Sequence, residues 1–214
     1  IAPPLWLLAL TVSGVNIGMA LLAPAIPLLR DDLSASADEA QLVLSAFLIM
    51  LGLGQLVAGS MSDTLGRRPV LLAGSLLFTV AGAAALISPN IELLIVARAL
   101  QGFGASACMA VGRVIINDSF DKTEAGRQLS TITMIMAIVP MLGFAGGGLV
   151  ADIIGWRGTV GIMVITAGVI FLANMALLAE TNHNRVARAP ILKVVGVFYL
   201  LLRKREFVVH ATSG

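Results

Sequence analysis

Charge is scarce in this chain. Of 214 residues, 12% are Asp, Glu, Lys or Arg and 58% are hydrophobic, whereas a soluble globular domain carries about 25% charged residues. That shortage excludes an ordinary water-facing surface. Cysteine is nearly absent. The single Cys108 falls in an apolar run, which excludes a disulfide framework. Histidine is limited to His183 and His210, both outside the six complete spans placed below. Ser106 in Gly104-Ala105-Ser106 therefore has no base beside it, as a nucleophilic serine would need, and an enzyme is not expected. No metal-ligand cluster, nucleotide loop or haem signature is present, so the expected cofactors are none. The net charge of +2 gives no reason to expect a nucleic-acid partner.

What the chain has instead is apolar runs of about twenty residues, each long enough to cross a ~30 Å hydrocarbon core. Their continuity argues for helices and against an alternating β-barrel pattern. We place spans at 5–29, 40–61, 69–88, 91–115, 128–151 and 158–179, with Pro69 opening the third. Residues 180–206 are polar and basic, and Pro190 could start a helix lying along the membrane surface. Residues 207–214 read as the start of a truncated seventh span. Eleven Lys and Arg residues (67, 68, 113, 122, 127, 185, 188, 193, 203, 204, 205) fall on one side of this topology. Only Arg30 and Arg157 fall on the other. The positive-inside rule then puts both ends in the cytoplasm. Asp31, Asp32, Asp38 and Glu39 form a solvated outer loop in this reading, and Trp6 and Trp156 are interfacial anchors.

Between the second and third spans stands Gly59-Ser60-Met61-Ser62-Asp63-Thr64-Leu65-Gly66-Arg67-Arg68. A tight polar link must turn sharply, which glycine permits. Asp63 can reach Arg67 at i+4 if the helix continues, or can cap a neighbouring helix N-terminus. The spacing G-x-x-x-D-x-x-G-R-R resembles the loop between helices 2 and 3 of the major facilitator superfamily of secondary transporters.

Arg98 is the one charge deep in a span, about 10 Å below the outer surface at 1.5 Å per residue. A cation there costs about 2.5–3.5 kcal/mol or more unless it meets water, an acid or carbonyls. Helical spacing aligns Arg98, Gln101, Ala105, Cys108 and Gly112 in a polar-then-small stripe, suited to a cavity or a close neighbour. Arg98-x-x-Gln101-Gly102-x-Gly104 resembles the fourth-helix motif of the same family. Pro140, Gly143, Gly147 and Gly148 resemble the exporters' fifth-helix G-P-x-x-G-G motif, with Phe144 where a proline is expected. Proline bends a helix and glycine lets a second helix approach. Residues 13–27, ending Pro24-Ala25-Ile26-Pro27, resemble the first span of Bcr/CflA-type drug exporters. Ala20 holds the position where those proteins often carry an acid. Asn16 is the only strongly polar side chain in that span, and no Asp or Glu lies deep in any of the six. Gln55 reads as a buried helix–helix bridge. Met19, Met50, Met109, Met134, Met136 and Met141 could soften a drug cavity.

The resemblance implies an all-α membrane protein, with six transmembrane helices as two inverted three-helix repeats. This would be the N-terminal half of a 12-helix fold, with domain 1–179, linker 180–206 and truncated span 207–214. It implies secondary transport by alternating access, with proton-coupled efflux of drugs or small molecules from a bacterial inner membrane. Arg98, Gln101 and Asn16 would serve substrate or coupling. Gly59, Asp63, Gly66, Arg67 and Arg68 would serve gating. The partners implied are a small-molecule substrate, protons, the lipid bilayer and the missing C-terminal six-helix half. The alternatives are a metabolite transporter of the same fold, or a non-transporting six-helix assembly protein.

Overall fold

A computed structural model of the chain describes residues 3–182. The surface helix expected after Pro190 and the seventh span at 207–214 lie outside the described residues. Six α-helical elements follow one another: α1 (Leu5–Leu22), α2 (Ile26–Asp32), α3 (Ala37–Leu65), α4 (Arg67–Leu86), α5 (Ile91–Ser119) and α6 (Lys122–Leu177). A 3₁₀ turn, Ala23–Ala25, joins α1 to α2 and carries Pro24 in its first positions. The single span expected at 5–29 is thus a rod interrupted at Pro24 and continued to Asp32.

Side chains start the later helices by accepting otherwise unpaired N–H groups. Ser36 and Glu39 form a reciprocal capping box at α3. Asn90 Oδ1 accepts from Leu93 N at 3.0 Å to open α5, and Asp121 Oδ1 accepts from Glu124 N at 2.9 Å to open α6. The third span opens at Arg67, two residues before Pro69, so Pro69 lies inside the first turn, where its missing N–H still costs nothing.

Five helical segments are long and apolar enough to cross a membrane, counting α1 through α2 as one. The last, α6, has 56 residues. At 1.5 Å per residue it would reach about 84 Å if straight. It is not straight: Gly155, at φ 72°, breaks it into arms 122–154 and 156–177. The contacts along α1 show that the arms run in opposite directions. A side chain at Gly143 would meet Ala20, and one at Gly147 would meet Leu21 and Pro24, so the first arm runs with α1. Gly14 faces Ile170, Thr11 bonds Asn174, and Asp32 bonds Trp156, so the second arm runs against it.

The core is centred on α5, whose buried positions are rich in glycine and alanine. A side chain at Gly102 would strike the Phe47 carbonyl on α3, and one at Gly104 would strike backbone of Phe78 and Gly74 on α4. Small residues let α3 and α4 close onto α5, as expected where lipid gives no hydrophobic drive for helix association. Leu48, Ile49, Leu53, Val80, Val169 and Leu172 point outward, which suits an integral membrane protein.

Candidate functional site

At one end of the bundle, α3 continues through Asp63 to Leu65, and the link to α4 shrinks to Gly66 alone. Gly66 holds φ 109° and ψ 155°, a conformation that glycine adopts without a Cβ penalty. The continued helix puts Asp63 one turn before Arg67. Of the two roles open to Asp63, the i,i+4 pair is the one formed among the described residues: Arg67 Nη1 donates to Asp63 Oδ1 and, at 2.8 Å, to Ser62 Oγ. Arg67 Nε donates to Asp118 Oδ2 of α5 at 2.9 Å. The guanidinium thus ties the end of α3 to the end of α5 while remaining buried. Arg68 turns the other way and donates to the carbonyls of Leu178 (2.7 Å) and Met175 (3.0 Å). Gly59 is helical with open space where a side chain would stand, so it takes no part in the turn.

Arg98 is fully buried. Its Nη1 donates to Gln101 Oε1 at 2.7 Å and to Met163 Sδ at 3.2 Å, and its guanidinium lies 4.4 Å over the Phe47 ring. Arg98 Nε and Nη2 and Gln101 Nε2 have no partner among the described residues. Nε and Nη2 form one edge of the guanidinium, the edge that takes a bidentate acceptor. The stripe from Arg98 to Gly112 is buried throughout and faces close neighbours: Gln101 lies against Gly82 and Gly112 against Val12. Asn16 is half-buried on α1, and the guanidinium's hydrogen bonds go to Gln101 and Met163, not to Asn16.

In α6 the backbone stays helical through Pro140, and the non-helical residue is Gly155. Gly143 and Gly147 are the contact points with α1, whereas Gly148 meets open space. Ala20, which by resemblance stands where Bcr/CflA-type exporters often carry an acid, is buried against Gly143.

The opposite end corrects two expectations. Asp32 is not merely a solvated loop acid, and Trp156 is not an interfacial anchor. Trp156 is buried and its Nε1 donates to Asp32 Oδ2 at 2.9 Å. Arg157 Nη1 donates to the same oxygen at 2.5 Å, and its guanidinium lies 4.3 Å over the Trp156 ring.

Sequence reasoning missed Asp118, Phe47, Met163 and the Asp32–Trp156–Arg157 cluster. Asp118 alone had a usable signal, being an acid at the end of α5 that shares a membrane side with Arg67. The methionine that reaches Arg98 is Met163, on the second arm, and not one of the six singled out.

The Major Facilitator Superfamily sequence pattern matches residues 8–212. The chain is 34% identical over 177 residues to a chloramphenicol resistance protein of Pseudomonas aeruginosa, covering 80% of this chain and 41% of that protein. It is 32% identical over 168 residues to multidrug resistance protein D of Escherichia coli, covering 78% and 43%. Its fold is similar to the human organic anion transporter MFSD10, with a TM-score of 0.71 at 16% identity, covering 89% and 51%. The chain spans half or less of the length of these two curated relatives. With the family pattern matched over nearly its whole length, and with relatives of the multidrug resistance type, this integral membrane protein belongs to the Major Facilitator Superfamily.

Proposed function

We propose that the chain is the N-terminal half of a secondary transporter that exports drugs or other small molecules by alternating access. Six crossings, in two inverted three-helix repeats with both ends cytoplasmic, fit the hairpin at Gly155 and the eleven-to-two distribution of basic residues. Residues 180–206 would then lead to a second six-helix half in a bacterial plasma membrane. The observation that carries the reading is the Arg67 junction. One buried guanidinium joins the ends of α3 and α5 through Asp63 and Asp118, and Asp63 remains 52% exposed, free to meet a second partner. A residue so placed can bias two global states, as alternating access requires.

Proton coupling is the finer part of the proposal. Asn16 and Ala20 carry no titratable group in α1, so a coupling carboxylate would come from outside this half and reach the edge of Arg98, buried here, only in another global state. Those free donors also favour a second reading, a transporter of acceptor-bearing metabolites, because Arg98 and Gln101 offer N–H groups and no acid. Expression of the full-length gene in a drug-sensitive strain tests the main reading. Raised tolerance to chloramphenicol or other drugs, lost in Asp63→Asn at equal protein level, is the expected result. Unchanged tolerance across a drug panel, together with uptake of a metabolite, would favour the second reading.

A further inference from the structure

The residues just after α6 reach back to the α3–α4 link and are not a simple exit from the bundle. α4 begins directly after Gly66, which has no side chain to cap it. The cap comes instead from Glu180, more than a hundred residues away. Glu180 Oε1 accepts from Arg67 N at 2.9 Å and Oε2 from Arg68 N at 3.3 Å. Oε1 also accepts from Thr181 N (3.1 Å) and Asn182 N (2.9 Å). An anion at this position complements the positive end of the helix dipole. Asn182 Nδ2 donates to the Ser62 and Asp63 carbonyls at 3.3 and 3.1 Å, closing the end of α3. Arg68 returns the contact by closing the end of α6 through Leu178 and Met175. Three helix ends are thus held by Arg68 of α4 and by Glu180 and Asn182 of the segment after α6, beside the Asp63–Arg67 pair.

We infer that Glu180 and Asn182 are positioning residues of the gate: they hold the backbone of Arg67 and Asp63, and so tie the chain leaving α6 to the junction that biases the two states. This rests on the gate reading proposed above. Glu180 holds the two N–H groups that open α4, and Asn182 holds the carbonyl of the very residue whose carboxylate pairs with Arg67. A displacement of residues 178–182 therefore moves both ends of the Asp63–Arg67 pair. A plain helix cap would change stability alone, whereas a positioning residue also changes the balance of states.

The test uses the full-length protein in membranes, with Ile17→Cys as the sole cysteine. Ile17 lies on α1 beside Val139 and Leu142 in a surface pocket. The ratio of maleimide labelling from the two sides of the membrane reports which opening dominates, and thermal melting reports stability. Glu180→Ala and Asn182→Ala are each expected to shift the ratio at least threefold, in the same direction as Asp63→Asn. The Asp63→Asn/Glu180→Ala double variant should shift it no further than the larger single change. Glu180→Gln, which keeps an acceptor, should recover part of the shift. If Asp63→Asn moves the ratio while Glu180→Ala and Asn182→Ala only lower the melting temperature, these residues are structural caps and the inference fails, with the gate reading intact. If Asp63→Asn leaves the ratio unchanged, the gate reading itself fails and the inference goes with it. Should Glu180→Ala not insert, Asn182→Ala decides, since it deletes only two hydrogen bonds at an exposed helix end.

Discussion

Arg67 is shared between two carboxylates: its Nη1 pairs with Asp63 one helical turn earlier, and its Nε donates to Asp118 Oδ2 at 2.9 Å on α5. The two partners differ in exposure, with side chains 52% exposed for Asp63 and 30% for Asp118. Exposed ion pairs contribute about 0–1 kcal/mol. Asp118 and Ser62 therefore keep Arg67 in place when Asp63 is neutralised.

From this we expect Asp63→Asn to insert and melt close to wild type while transport in the full-length protein falls by about tenfold, the equivalent of about 1.4 kcal/mol between two states. Asp118→Asn should lower both stability and transport. Parallel melting curves and transport rates separate the two. Equal loss of stability in both variants would remove the distinction between a gating acid and a structural one.

The α1–α6 crossing makes a steric prediction. A Cβ at Gly147 would stand 2.6 Å from the Leu21 carbonyl oxygen and 2.9 Å from its Cα, and backbone cannot give way cheaply. Gly147→Val should destabilise by about 1–3 kcal/mol. Gly148 meets no other described residue, so unless the second half packs on this face Gly148→Ala should be neutral or gain up to about 1 kcal/mol from helix propensity. Melting of the purified full-length variants checks both. A tolerated Gly147→Val would mean that the two helices do not approach as described.

The outer cluster makes a prediction about charge. Asp32 Oδ2 accepts from both Trp156 Nε1 and Arg157 Nη1. Asp32→Asn keeps an acceptor for Trp156 but loses the ion pair with Arg157, and because that pair is half exposed the change should cost no more than about 1 kcal/mol. Asp32→Ala also takes the acceptor from the buried Trp156 and should cost more. Melting of both variants separates the two contributions, and wild-type melting of Asp32→Ala would show that this contact adds nothing.

Much of the architecture was legible because hydropathy reports how long a segment can stay in lipid. Five of the six expected spans match a helix or an arm of one to within about six residues at either end, and the first runs on through Pro24. The turn at Gly66 was legible for a related reason, since a tight polar link needs a residue free to take positive φ. Tertiary partners were not legible. Nothing local ties Asp32 to Trp156 or Arg98 to Met163, because these pairs meet only when the second arm of α6 folds back along α1. Gly155 sets that return, yet in sequence it is one glycine among 22. The stripe through Arg98 was read correctly as one helical face, but period alone cannot tell a cavity from a packed neighbour, and the structure shows the neighbour.

Arg98 gives the most direct test, because Nη1 is occupied while Nε, Nη2 and Gln101 Nε2 have no partner among the described residues. The decisive measurement is substrate movement in vesicles containing the full-length protein under an imposed proton gradient, with chloramphenicol as the first probe and protein levels matched. Wild type should show gradient-driven transport. Arg98→Ala should insert and show none. Arg98→Lys should recover little, since lysine keeps the charge but loses the two-point fork. An Arg98→Ala protein that inserts normally and transports at the wild-type rate would contradict the account and leave Arg98 as a tolerated packing residue.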